Sequence, residues 1–158
     1  MTTEPEFDPP HDPNPIARTV VVVGIFMASV VAAVVVGLVV WSPPALGDVP
    51  VSLKDYSITM SSKLSAGSHT FGLTNDGKQP HELVVFRTDL PADSLPVDAD
   101  GRVDEESPKL ENVADSGNPL KVGGSEAVKS TLPPGHYVAV CNIADHYQRG
   151  MQLNLTVK

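Results

Sequence analysis

The chain has a single cysteine, Cys141, so no disulfide can close within it and the thiol is left for another use. Basic side chains are scarce as well. Against 19 Asp and Glu stand 11 Lys and Arg, a formal net charge of −8 that argues against nucleic acid or anionic lipid as a partner. No internal repeat is visible, and beyond Val51 no long stretch has helical period. That part of the chain must be mostly β.

What the chain does have is one apolar block that cannot belong to a globular core. Val20 to Trp41 runs 22 residues without a charge, which at ~1.5 Å per residue spans a hydrocarbon layer of ~30 Å. The reading is one transmembrane helix over 18–41. A cleavable signal peptide would have a shorter apolar run, a basic flank in place of Glu4, Glu6, Asp8 and Asp12, and a small-residue cleavage site. Arg18 abuts the run on its amino side, whereas no cation follows it until Lys54, so the N-terminus is expected in the cytoplasm and the rest on the extracytoplasmic side of the cell membrane. Residues 1–17, with five prolines and four acids, read as a disordered tail, and 42–50, with Pro43, Pro44 and Pro50, as a Pro-rich linker. Four of the 19 acids and one of the 11 Lys and Arg precede residue 42, leaving fifteen against ten and a net −5 beyond it. A partner with a basic docking face suits that charge.

Residues 51–158 follow strand logic, in short alternating runs broken by Gly, Pro, Asn and Asp. Val51 to Met60 reads as a strand pair or one bulged strand. Ser68 to Thr74 ends at the turn Asn75-Asp76-Gly77, Glu82 to Arg87 is a denser apolar strand, and Lys121 to Leu132 and His136 to Cys141 flank the turn Pro133-Pro134-Gly135. In the last strand Met151, Leu153, Leu155 and Val157 alternate with polar residues. Thr88 to Asn118, with three prolines and nine acids, reads as a connection across the outside, with a helical turn near Asp104 to Leu110. About seven short strands in one monomeric domain fit a two-sheet β-sandwich.

Strand parity brings four unusual side chains to one end. Met151 begins the last strand on its core side, Cys141 ends the preceding one in phase with Tyr137 and Ala139, and the loop 142–150 between them carries His146. His81, 60 residues before Cys141, stands at the mouth of another strand. Two imidazoles and a thiolate can form a trigonal plane around copper, with a thioether as a weak axial ligand. Zinc suits the set less well, because structural zinc sites use more Cys or His and a thioether is a poor zinc ligand. A Cys141–His146 nucleophile pair is the enzyme alternative, and it leaves His81 and Met151 without roles. A binuclear copper site would need two bridging cysteines and is excluded within this chain. His136, of opposite parity to Cys141, reads as a surface or second-sheet residue, His69 as lying at the edge of the core, and His11 belongs to the tail.

Gly77-Lys78-Gln79-Pro80-His81-Glu82-Leu83, then Pro134-Gly135-His136-Tyr137 and Cys141-Asn142-Ile143 through His146-Tyr147 to Gly150-Met151, closely resemble the cupredoxins. The C-x4-H-x4-M spacing resembles the rusticyanin and auracyanin branch more than plastocyanin. The resemblance covers roughly Val51 to Lys158 and implies a Greek-key β-sandwich, one type 1 copper ion held by His81, Cys141, His146 and Met151, and an electron carrier rather than an enzyme. With the apolar helix, the expected protein is a membrane-tethered carrier of single electrons between redox proteins. The rival use of the same ligands is copper capture or delivery. Two departures from the branch stand out: Ala144-Asp145 stands where Pro-Gly is common before the second His, and Glu82 where Asn often follows the first. The first puts a carboxylate beside a ligand, and the second removes a neutral group that can brace the ligand loop.

Overall fold

The computed structural model describes residues 46–158, so the expected tail over 1–17, the helix over 18–41 and the first part of the linker lie outside the described residues. Among the described residues no helix is long and apolar enough to cross a membrane. The described residues form nine strands: β1 (Val49–Lys54), β2 (Ser57–Thr59), β3 (Lys63–Leu64), β4 (Gly67–Asn75), β5 (Val84–Arg87), β6 (Glu111–Asp115), β7 (Ser125–Leu132), β8 (Gly135–Val140) and β9 (Gln152–Val157). One sheet has the order β2-β1-β4-β7 and the other β3-β9-β8-β5-β6. Both are mixed, because β1 runs parallel to β4 and β3 parallel to β9 while their other neighbours are antiparallel.

Alternation decides which side chains meet between the sheets. Val49, Val51 and Leu53 of β1 and Phe71 and Leu73 of β4 face Val85, Tyr137, Ala139 and Leu155 from the other sheet in one buried cluster that also holds Cys141 and Met151. Tyr137 is fully buried, and its hydroxyl donates to the Pro133 carbonyl at 2.6 Å, tying the β7–β8 corner to the core. The expected strand pair at 51–60 is the β1–β2 hairpin.

The long connection does more than cross the outside. Val138 and Val140, on the outer face of β8, are fully buried with Val84 and Phe86 beneath Ala92, Leu95 and Val103 of the connection, and Tyr147 joins them from the 142–150 loop. Each such side chain left wet would forfeit about 1.5–3 kcal/mol, which is the driving force that folds the connection back onto the sheet. Two expectations for it need correction. A strand, β6, lies within it; Glu111–Asp115 has only Val113 and Ala114 as apolar residues, because an edge strand needs only one neighbour and can be polar on its open side. Among the described residues the one regular helical segment is a 3-10 turn at Ala92–Ser94, while Asp104 to Leu110 forms successive four-residue turns closed by Ser107 N–H to Asp104 O and Leu110 N–H to Ser107 O.

Candidate metal centre

His81 is delivered by a loop that one side chain organises. Asn75, buried at the end of β4, donates to the carbonyls of Gln79 and Leu120 at 2.9 and 2.8 Å and accepts the Gly77 N–H at 2.9 Å. His81 then exchanges backbone hydrogen bonds with Leu120, at 3.2 and 2.7 Å, which fixes its main chain and sends the imidazole inward. Cys141 follows β8 directly. Its N–H donates to the Met151 carbonyl at 3.0 Å, and the Met151 N–H donates to the His146 carbonyl at 3.1 Å, so the loop closes on itself with Met151 at its base. The thiol sulfur accepts the Glu82 N–H at 3.5 Å.

The result is a convergence of three donor atoms. His81 Nδ1 and His146 Nδ1 are 3.3 Å apart, Cys141 Sγ is 3.3 Å from His146 Nδ1, and it is 3.8 Å from His81 Nδ1. Three such points lie on a circle of about 2.0 Å radius, close to the metal–nitrogen and metal–sulfur bonds of about 2.0–2.3 Å that zinc, a first-row yardstick, makes. Met151 is fully buried in the same cluster as Cys141. The structure thus brings all four expected ligand residues to one end of the sandwich. Thiolate, thioether and two imidazoles favour copper over the harder divalent ions, and an ion would find the trigonal set already assembled.

Electrostatics suit a metal better than a nucleophile. Burial pushes the Cys141 thiol up to about 11, so the sulfur ionises only when a cation replaces its proton. Burial, and then the neighbouring His81, hold His146 below its ordinary value, which keeps its lone pair free near neutral pH. No helix N-terminus faces the sulfur among the described residues, and Cys141 is fully buried.

Two clamps set the ligand loop. Ahead of His146, the Asn142 side chain accepts the Val103 N–H at 2.6 Å and donates to the Val103 carbonyl at 3.1 Å and to Glu105 Oε1 at 2.7 Å. Behind it, the buried Tyr147 hydroxyl donates to the Ala92 carbonyl and accepts the Leu95 N–H, at 2.8 and 2.9 Å. Asp145 takes a left-handed φ of 68°, a conformation glycine adopts without cost and Asp tolerates. Glu82 keeps its backbone contact to the sulfur, while burial and then Asp115 raise its carboxyl above the ordinary range.

The β1–β2 turn forms a further wall that the sequence argument missed. Asp55 Oδ1 lies 2.8 Å from His81 Nε2. Tyr56 packs edge-on against His146 with ring centres 5.1 Å apart, and the Arg149 guanidinium lies 4.7 Å over the Tyr56 ring while donating to its hydroxyl at 2.6 Å. No spacing in the sequence flags Asp55 and Tyr56, because they reach the site from the opposite sheet. Asn142 carried one signal, its place directly after Cys141. The other histidines among the described residues are engaged elsewhere: His69 with Asp48 and the Ser65 carbonyl, His136 with the Thr88 carbonyl and Asn154.

No family model and no curated protein matches the sequence. Among solved structures, a dithionite-reduced auracyanin from the photosynthetic bacterium Roseiflexus castenholzii is similar, with 21% identity and a TM-score of 0.52 over 69% of this chain and 94% of that one. The fold is cupredoxin-like. Auracyanin B (22% identity, TM-score 0.49, 69% of this chain and 86% of that one) and rusticyanin from Thiobacillus ferrooxidans (20%, 0.46, 69% and 76%) are also similar. In the cupredoxin-like sandwich found here, the donor cluster sits where β8, the 142–150 loop and the strand following His81 meet.

Proposed function

We propose that this chain holds one copper ion through His81, Cys141, His146 and Met151 and carries single electrons between redox proteins at the outer face of a membrane, to which residues 18–41 tether it. The observation that carries the reading is the triangle of two Nδ1 atoms and one Sγ, buried and already at bonding radius. Copper bound there would supply a one-electron Cu(I)/Cu(II) couple. The chain's own part is to hold the donors still, exclude water from the sulfur and offer one edge to a partner.

That edge is His146. It is 6% exposed, whereas His81, Cys141 and Met151 are 0% exposed, so electrons enter and leave over its imidazole. It lines a cleft with Pro80, Pro119 and Ile143, whose apolar surface suits brief contact. Arg102, Lys121 and Glu82 share this rim, so attraction of a basic partner rests on the net −5 beyond residue 42 rather than on the port itself. The uncharged run at 20–41 supports the tether, and Arg18 supports the orientation. A buried thiol with a raised pKa supports a carrier over a Cys–His hydrolase.

The test is the absorption spectrum of residues 42–158 loaded with Cu(II) while Cys141 is kept reduced. One equivalent bound with intense visible thiolate-to-copper charge transfer is the expected result. Colourless protein defeats the reading, and preferential, freely exchanging Cu(I) binding without reversible oxidation points to copper handling instead.

A further inference from the structure

The copper reading leaves Asp55 unused, although among the described residues it is the one carboxylate hydrogen-bonded to a candidate ligand side chain. Its Oδ1 sits 2.8 Å from His81 Nε2, and both its oxygens accept the Lys78 N–H, at 3.0 and 3.1 Å. An ionised carboxylate only accepts, so the proton between the two must be on Nε2. The lone pair is then left on Nδ1, the atom that faces Cys141 Sγ and His146 Nδ1. His81 is fully buried, whereas the Asp55 side chain is 23% exposed, so the carboxylate stands between Nε2 and solvent.

A second observation shows how closely the pair is fitted. A Cβ on Gly77 would come within 2.6 Å of both Asp55 Oδ1 and His81 Nε2, so any other residue there would push into the hydrogen bond. The φ of Gly77 is not left-handed, and the glycine is present for space rather than for a turn. Tyr56, the next residue in the chain, packs on His146, so one short turn contacts both imidazoles.

We propose that Asp55 is a positioning residue that selects the Nδ1-ligating tautomer of His81 and, through its charge, lowers the reduction potential of the centre. The proposal rests on the copper reading for its second half only. A carboxylate on the far nitrogen makes a ligating imidazole more basic and favours the more highly charged metal state. Removing such a partner typically costs 10–100-fold in metal affinity, and a tenfold loss confined to the oxidised ion would raise a one-electron potential by about 59 mV.

The experiment compares the full chain with Asp55→Asn, Asp55→Ala and, as a control for general charge, Asp76→Asn, which removes a nearby carboxylate bonded to Ser52 rather than to a histidine. Potentiometric titration and chelator competition with Cu(II) and Cu(I) are read on each. Asp55→Asn keeps an acceptor and loses the charge, so its potential should rise with about tenfold weaker Cu(II) binding and little change for Cu(I). Asp55→Ala should bind Cu(II) at least as weakly, and Asp76→Asn should move either quantity much less. An Asp55→Asn Cu(II) affinity within twofold of wild type, with a potential correspondingly within about 18 mV, or an equal shift in Asp76→Asn, overturns the tuning role. Should the Asp55 variants not fold, ¹⁵N shifts of the wild-type imidazoles still decide the tautomer in the copper-free protein. A proton on His81 Nε2 is expected, and one on Nδ1 overturns the proposal. Failure of the wild type to take up copper would sink the copper reading instead and leave that tautomer test standing.

Discussion

Tyr147→Phe isolates one clamp on the ligand loop. The substitution removes a single oxygen and leaves the ring in the cluster with Val138 and Val140, so no side-chain cavity opens. It orphans the Leu95 N–H and the Ala92 carbonyl, both bonded to that hydroxyl at buried positions. An unpaired buried group costs about 1–3 kcal/mol, and for two on one short turn that can partly relax the loss should come to about 2–4 kcal/mol. For a domain somewhat above a hundred residues each kcal/mol is worth about 4 °C, so the melting temperature should fall by about 8–16 °C. The assay is thermal and urea unfolding of copper-free residues 42–158, with the urea slope unchanged. Copper-loaded variant should keep its absorption maximum, because no donor atom is touched, yet release copper to a chelator faster. A stability loss below about 0.5 kcal/mol, the range of an ordinary surface change, would refute the idea that the connection holds the loop through this hydroxyl.

Met151→Leu and Met151→Gln should both retain copper while the potential moves up for Leu and down for Gln, as potentiometry will show; complete loss of copper from Met151→Leu contradicts a weak axial role. The Ser65 carbonyl and then Asp48 raise the pKa of His69, whose two nitrogens face them at 2.8 and 2.6 Å. A raised folded value means stabilisation that is full below the unfolded pKa of about 6.5 and lost as pH rises through the folded one, so the melting gap between wild type and His69→Gln should narrow toward alkaline pH. A gap that widens instead reverses the sign of the argument. The bimolecular electron-transfer rate with the physiological partner should fall as salt rises, and removal of residues 1–41 should slow turnover in membranes without altering the spectrum; a salt-independent rate and unchanged turnover would remove both steering and tether.

The donors were legible because the rule that exposes them is local. Met151 shares parity with Leu155 and Val157, Cys141 with Tyr137 and Ala139, and the structure buries all of them between the sheets. Most strand positions followed from the same alternation, although the two-residue β3 was not anticipated and β7 begins at Ser125 rather than Lys121. β6 escaped it, since an edge strand carrying Glu111, Asn112 and Asp115 has the composition of a loop and is defined only by its pairing with β5. The outer cluster escaped it for a related reason: Val138 and Val140 sit on the face that parity assigns to solvent, and only the returning connection makes that face dry. Asp55 and Tyr56 were out of reach because their contacts to His81 and His146 join residues 26 and 90 positions apart, which no local period encodes.

Three of the four donors, Cys141, His146 and Met151, fall within eleven consecutive residues, and the fourth is 60 positions away. An unfolded chain therefore already carries a small chelating peptide with two sulfurs, and soft ligands of that kind capture Cu(I) before any sheet exists. Folding adds His81 and dryness to a metal that can be bound already. Copper will then stabilise the native state by less than its native affinity implies, because the denatured state competes for it. Native and denatured chains will also differ in the oxidation state they prefer, so a reductant present during refolding decides whether the metal arrives early on the peptide or late in the finished sandwich.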